Sequence, residues 1–170
     1  LRGTLFGSVG TAGQRCTSTR RLIMQKNVAP ILTEKLLKAY KQIKIGDPMN
    51  SETLMGPLVN EAAVKEMMNA MDKIKEQGGK VLCGGKHIKG LFVEPTIVRA
   101  KKDLPIMQEE TFAPILYLVE AKDIEETIAI NNDVPQGLSS SIFTTKLQAA
   151  ERFIGPEGSD CGIANINVAT

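Results

Sequence analysis

The sequence is 170 residues long, enough for one domain with a real hydrophobic core. Hydrophobic residues make up 42% and charged residues 24%, which excludes a disordered chain. A net charge of +2 and 4% aromatics leave no electrostatic or stacking footprint for nucleic acid, and no apolar run is long enough to span a bilayer.

In chain order, Leu5-Phe6-Gly7-Ser8-Val9 and then Gly10-Thr11-Ala12-Gly13-Gln14 predict a short helix that breaks down into a loop delivering Cys16. Arg21 to Gln25, around Leu22-Ile23-Met24, reads as a buried strand. Pro30 sits where a helix can begin, because its missing N–H is not needed there. Leu32, Leu36, Ala39, Tyr40 and Ile43 follow at helical spacing, with Lys35, Lys38 and Lys41 on a solvated face. Asn60 reads as the N-cap of a second helix whose stripe is Val64, Met67, Met68, Met71 and Ile74. Those methionines read as core filling rather than a binding surface.

Beyond Gly78-Gly79, strands are expected at Val81-Leu82-Cys83, Phe92 to Val98, Ala113 to Val119, Leu138 to Phe143 and Gly162 to Val168. Asp123-x-x-Glu126 and Thr145-x-x-Gln148 resemble capping boxes that open short helices. Strands and helices therefore alternate, which predicts an α/β domain with a largely parallel sheet and flanking helices.

Cys16, Cys83 and Cys161 lie far apart, and His87 is the one histidine. That inventory argues against a zinc site, and no metal is expected. An odd count without a secretory signal points to thiols in a reducing compartment: the cytoplasm, with the mitochondrion as alternative. The opening Leu1-Arg2-Gly3 reads as an internal piece of a longer chain.

Three segments carry residues suited to chemistry. Gly13-Gln14-Arg15-Cys16-Thr17 puts a thiol just after a small-residue loop, where a substrate can approach and backbone N–H groups can hold an oxyanion. The competing reading is a buried structural cysteine. Glu109-Glu110-Thr111-Phe112-Ala113-Pro114 pairs carboxylates that could bind vicinal hydroxyls with an aromatic that could flank a flat ring. Its competing reading is a solvated acidic turn. Asn165-Ile166-Asn167-Val168 would put both amides on one side of a strand end, lining a pocket, unless the asparagines simply form a turn.

In this order and at these separations the segments resemble the aldehyde dehydrogenase superfamily. Gly13-Gln14-Arg15-Cys16 is similar to its cysteine signature, and Glu109-Glu110-Thr111-Phe112-Ala113-Pro114 to its Glu-Glu-x-Phe-Gly-Pro motif. Gly56-Pro57-Leu58, Phe92-Val93-Glu94-Pro95-Thr96 and Gly137 to Thr144 match further stretches. Gly10 to Thr17, Phe112 to Tyr117 and Gly158 to Gly162 resemble most the antiquitin branch, the α-aminoadipic semialdehyde dehydrogenases, which shares Ala113.

The resemblance implies that residues 1–170 are the catalytic (cysteine) domain, incomplete at both ends, with the NAD-binding Rossmann domain, the general-base glutamate and the oxyanion asparagine absent upstream. It implies Cys16 as the nucleophile that forms a thiohemiacetal and then a thioester. Glu110 would hold the nicotinamide ribose, and Phe112 would pack beside that end of NAD. Arg15 would face the charged end of a semialdehyde, and Asn167 would border the aldehyde pocket. The expected function is NAD-dependent oxidation of an aldehyde to its acid by a full-length homo-oligomer, a tetramer, with little turnover from these residues alone. A non-catalytic structural or interaction module of the same fold is the alternative.

Overall fold

The computed structural model describes residues 1–170, and helices and strands alternate through it. In chain order they are α1 (Arg2–Val9), β1 (Arg21–Gln25), α2 (Ala29–Tyr40), α3 (Glu61–Glu76), β2 (Lys80–Cys83), β3 (His87–Lys89) and β4 (Phe92–Val93). There follow β5 (Thr96–Arg99), β6 (Ile115–Ala121), α4 (Ile124–Asn132), β7 (Ser139–Ile142), α5 (Leu147–Ile154) and β8 (Ile163–Ile166).

The main sheet has the order β1-β6-β5-β2, with β6 parallel to both neighbours and β2 antiparallel to β5. A second, parallel pair is formed by β7 and β8, and a small antiparallel pair by β3 and β4. This is the expected α/β architecture with a largely parallel sheet.

β6 is central because its sequence, Ile-Leu-Tyr-Leu-Val, suits burial on both faces; all five side chains are buried, and Glu120 is the first to reach solvent. α3 covers one face. Its Asn60 cap accepts the Ala63 N–H at 2.9 Å, and Val64, Met67, Ala70, Met71 and Ile74 turn inward. Met67 and Met71 are fully buried and belong to the core, worth ~1.5–3 kcal/mol for each such side chain removed from water, whereas Met68, expected in the same stripe, is half-buried.

Several expectations need correction. Of β1, only Met24 is buried; Arg21, Leu22 and Ile23 are half-buried because β1 is the last strand of its sheet and borders an open cleft. The single strand expected over Phe92 to Val98 is two, β4 and β5, which separate at Glu94-Pro95 and pair in different sheets. Pro95 has no N–H with which to continue a ladder.

Asp123 does cap α4, accepting the Glu126 N–H at 2.9 Å, while Glu126 reaches back to the Lys122 N–H at 2.8 Å. The box expected at Thr145 does not form. α5 starts one residue later than such a box would require, behind Lys146 with no side-chain cap, and the Thr144 hydroxyl takes the Lys146 N–H instead. β8 stops at Ile166 rather than Val168, because Asn167 turns left-handed at φ 59°.

Candidate active site

α1 ends at Gly10, and the chain then makes a tight 3-10 turn over Gly10–Gly13. Thr11, Ala12 and Gly13 are all left-handed, at φ 54°, 52° and 69°. Such a run is costly for L-residues and persists only where surrounding contacts hold it. Those contacts are identifiable. A Cβ on Gly13 would stand 2.3 Å from the Ala113 carbonyl oxygen and 2.8 Å from Pro114 Cα, so the cysteine loop lies backbone to backbone on the acidic–aromatic turn.

On the other side, the Gln14 amide donates to the Pro57 carbonyl at 3.3 Å and accepts the Val59 N–H at 2.8 Å. Beyond Gln14, Arg15 and Ser18 close a turn around Cys16: the Ser18 N–H donates to the Arg15 carbonyl at 3.0 Å, and the Arg15 N–H to Ser18 Oγ at 3.1 Å. Ser18 is buried and Cys16 is exposed. The loop thus anchors its ends and presents its thiol. The reading of Cys16 as a buried structural cysteine does not hold.

The acidic–aromatic turn follows a 3-10 turn at Pro105–Gln108. Its two carboxylates part company. Glu109 pairs with Lys73 of α3 at 2.7 Å, whereas Glu110 turns to Arg20, with Oε1 3.3 Å from Nη2. Arg20 also donates to Thr111 O at 2.7 Å, to Gly13 O at 3.3 Å and to Arg15 O at 3.4 Å, and its guanidinium stacks 5.2 Å from the Phe112 ring. Burial pulls the Arg20 pKa down, and the Glu110 carboxylate opposes that shift.

Glu110 remains 44% exposed, so its second oxygen is open to accept hydroxyl protons, and the Phe112 ring is exposed beside it. A carboxylate and an aromatic face side by side fit a ribose and its attached flat ring.

A cleft of about 1010 Å³ opens between β1 and the β7–β8 pair. Cys16, Arg20, Glu110 and Asn167 line it. Arg15 and Phe112 do not. Arg15 instead lies 5.0 Å over the Phe6 ring of α1, with its Nε buried and unpartnered. Asn167 reaches the cleft, but its amide is engaged: Oδ1 accepts the Thr144 N–H at 2.9 Å and Nδ2 donates to the Thr144 carbonyl at 3.0 Å. It therefore fastens the end of β8 to the exit of β7.

Arg20 and Gln14 are the residues that sequence reasoning passed over as individuals. An arginine before a strand has no chemical signature of its own. Gln14 stands inside the Gly13-Gln14-Arg15-Cys16 motif, but nothing there reveals its partners at Pro57 and Val59.

The sequence matches the aldehyde dehydrogenase family over residues 1–170. It is 52% identical to aldehyde dehydrogenase family 7 member A1 of Brassica napus, over 99% of this chain and 35% of that protein. It is 48% identical to the α-aminoadipic semialdehyde dehydrogenase of Mus musculus, over 98% of this chain and 31% of that protein. The chain spans about a third of the length of the curated relatives it matches.

Among solved structures, betaine aldehyde dehydrogenase from Staphylococcus aureus in complex with NAD+ superimposes with a TM-score of 0.95 at 27% identity, over 99% of this chain and 35% of that one. An NAD-dependent aldehyde dehydrogenase from Sinorhizobium meliloti gives 0.94 at 31% identity, over 99% and 34%. By sequence and by fold, the chain belongs to the aldehyde dehydrogenase family.

Proposed function

We propose that residues 1–170 form part of the catalytic domain of a protein that oxidises an aldehyde to its carboxylic acid with NAD+, with Cys16 as nucleophile. The observation that supports this best is the seating of the Cys16 loop on the acidic–aromatic turn, through Gly13 against Ala113 and Pro114. A thiol and a candidate cofactor-binding carboxylate that are far apart in sequence thereby share one cleft.

In this reading the Cys16 sulfur, as thiolate, adds to the carbonyl carbon, and the carbonyl oxygen becomes an alkoxide held in part by the Cys16 backbone N–H. Bound NAD+ would supply the hydride acceptor. The oxidised adduct on Cys16 is a thioester; water cleaves its carbon–sulfur bond, releasing the acid and returning the thiolate. Glu110 accepts the ribose hydroxyl protons with the oxygen that Arg20 leaves open, and Phe112 flanks the ring beyond. Asn167 shapes the pocket wall by fixing the β7–β8 end rather than through a free amide.

The names of the family 7 relatives favour an amino-acid semialdehyde such as α-aminoadipic semialdehyde as substrate. We assign its charged end to Arg15, the chain neighbour of Cys16; the guanidinium rests on Phe6 outside the cleft, so this role requires it to swing off that ring when substrate binds. The remainder of the relatives' length would bring the cofactor domain, the general base and the arm that assembles a homo-tetramer. Expressed alone, these residues should therefore turn over by orders of magnitude less than the whole protein. The free thiol suits the cytoplasm or the mitochondrion.

The test is NADH formation by the full-length protein with α-aminoadipic semialdehyde. Wild type should turn over and Cys16→Ser should lose at least ~10³-fold in kcat, the scale seen when a covalent nucleophile is removed. A Cys16→Ser enzyme of wild-type rate would end the proposal.

A further inference from the structure

Two separate motifs must keep a fixed distance if a thiol and a cofactor are to meet, and one side chain touches both. The Arg20 guanidinium uses all four of its terminal N–H groups. Nη1 donates to Gly13 O of the cysteine loop and to Thr111 O of the acidic–aromatic turn; Nη2 donates to Arg15 O of the loop and to Glu110 Oε1 of the turn. Each nitrogen therefore bonds one group from each motif. The guanidinium carbon sits 5.2 Å over the centre of the Phe112 ring. The side chain is 20% exposed, and its own carbonyl accepts the Tyr117 N–H of β6 at 2.8 Å, so the fork stands on the central strand of the sheet.

We propose that Arg20 is a positioning residue that sets both the aim of Glu110 and Phe112 and their distance from Cys16. The inference rests on the proposed function above. The planar fork is what the position demands, since a lysine ammonium is a point charge and cannot hold four acceptors on two sides. Without the fork, Glu110 loses its only cationic partner and Phe112 loses the guanidinium that supports its ring. The turn can then rotate about Thr111 while the cysteine loop keeps its Gly13 contact with Ala113. The first property to suffer is cofactor binding.

The experiment is a mutant cycle in the full-length enzyme with Arg20→Met, Arg20→Lys, Glu110→Gln and the double variant Arg20→Met/Glu110→Gln. Steady-state KM for NAD+, kcat and thermal midpoint are measured for each. Arg20→Met and Arg20→Lys should each raise KM for NAD+ at least ~10-fold, with a smaller change in kcat. The double variant should be no worse than its poorer parent, because both changes break one linkage. Arg20→Lys keeps the charge and the stem, and it carries the test if Arg20→Met does not fold.

An unchanged KM for NAD+ in both arginine variants, or fold-effects that multiply in the double, would overturn the positioning role. So would a fall in thermal midpoint with KM intact, which would make Arg20 merely structural. If wild type shows no NAD-dependent aldehyde oxidation, the proposed function fails instead, and the two failures are told apart by the wild-type rate.

Discussion

Replacing Gly13 by alanine probes the contact on which the site is built. The new Cβ would lie 2.3 Å from the Ala113 oxygen and 2.5 Å from its carbonyl carbon, at a residue held at φ 69°. The left-handed backbone costs a non-glycine residue ~1–2 kcal/mol. Forcing a methyl into close-packed backbone costs a further ~1–3 kcal/mol. Together these amount to about 2–5 kcal/mol. A close carbon–oxygen contact needs roughly 3.3 Å, so the cysteine loop and the acidic–aromatic turn must part by about 1 Å. A displacement of that size between reacting groups costs on the order of 10²-fold in rate.

Gly78→Ala is the matched control. Gly78 is left-handed too, at φ 85°, but nothing lies within 4 Å of its built Cβ. It should show the backbone cost alone, with normal kinetics. Urea unfolding and NADH-coupled kcat/KM on the two variants separate the contributions. A Gly13→Ala protein no less stable than Gly78→Ala, with unaltered kcat/KM, would show that the two motifs do not depend on close seating.

Three further expectations follow from the same geometry. Asn167→Ala removes two hydrogen bonds to Thr144 and leaves alanine left-handed, and should lose about 1–2 kcal/mol in urea unfolding; Asn167→Gly, free of the backbone strain, should lose less. In alkylation at neutral pH followed by peptide mapping, exposed Cys16 should be modified at least ~10-fold faster than Cys83, whose thiol pKa is pushed up by burial and which therefore offers less thiolate. Lys102 and the Lys122 N–H hold the Glu126 carboxyl below its ordinary pKa, so its stabilising effect is complete at neutral pH and fades as pH falls through that depressed value. Glu126→Gln should accordingly narrow the stability gap between neutral and acid pH, and an identical gap in wild type and variant would contradict the pairing.

How much of this was legible in the sequence depended on how local its cause is. The β1 bounds, the Asn60 cap, the buried methionines of α3 and the Asp123 cap are set by residues within a turn or two of each other, and periodicity and capping chemistry read them correctly. The β3–β4 hairpin escaped because His87, Ile88 and Lys89 are all exposed, so no apolar alternation marks them. Asn167 was placed on a strand face, but its left-handed turn is decided by Thr144, on a different strand's exit. Arg20 is the extreme case, since every property that matters there comes from Gly13, Glu110, Thr111 and Phe112 arriving around it in space. The motif residues Cys16, Glu110 and Phe112 were visible as types; what joins them was not.

The most direct measurement is to trap the covalent adduct. The full-length enzyme, mixed with α-aminoadipic semialdehyde and NAD+ and quenched in acid during turnover, should gain the mass of one acyl group, and peptide mapping should place it on Cys16. An acyl group found on Cys83, Cys161 or any other side chain, or full turnover with Cys16 never modified, would contradict the assignment of that sulfur as nucleophile.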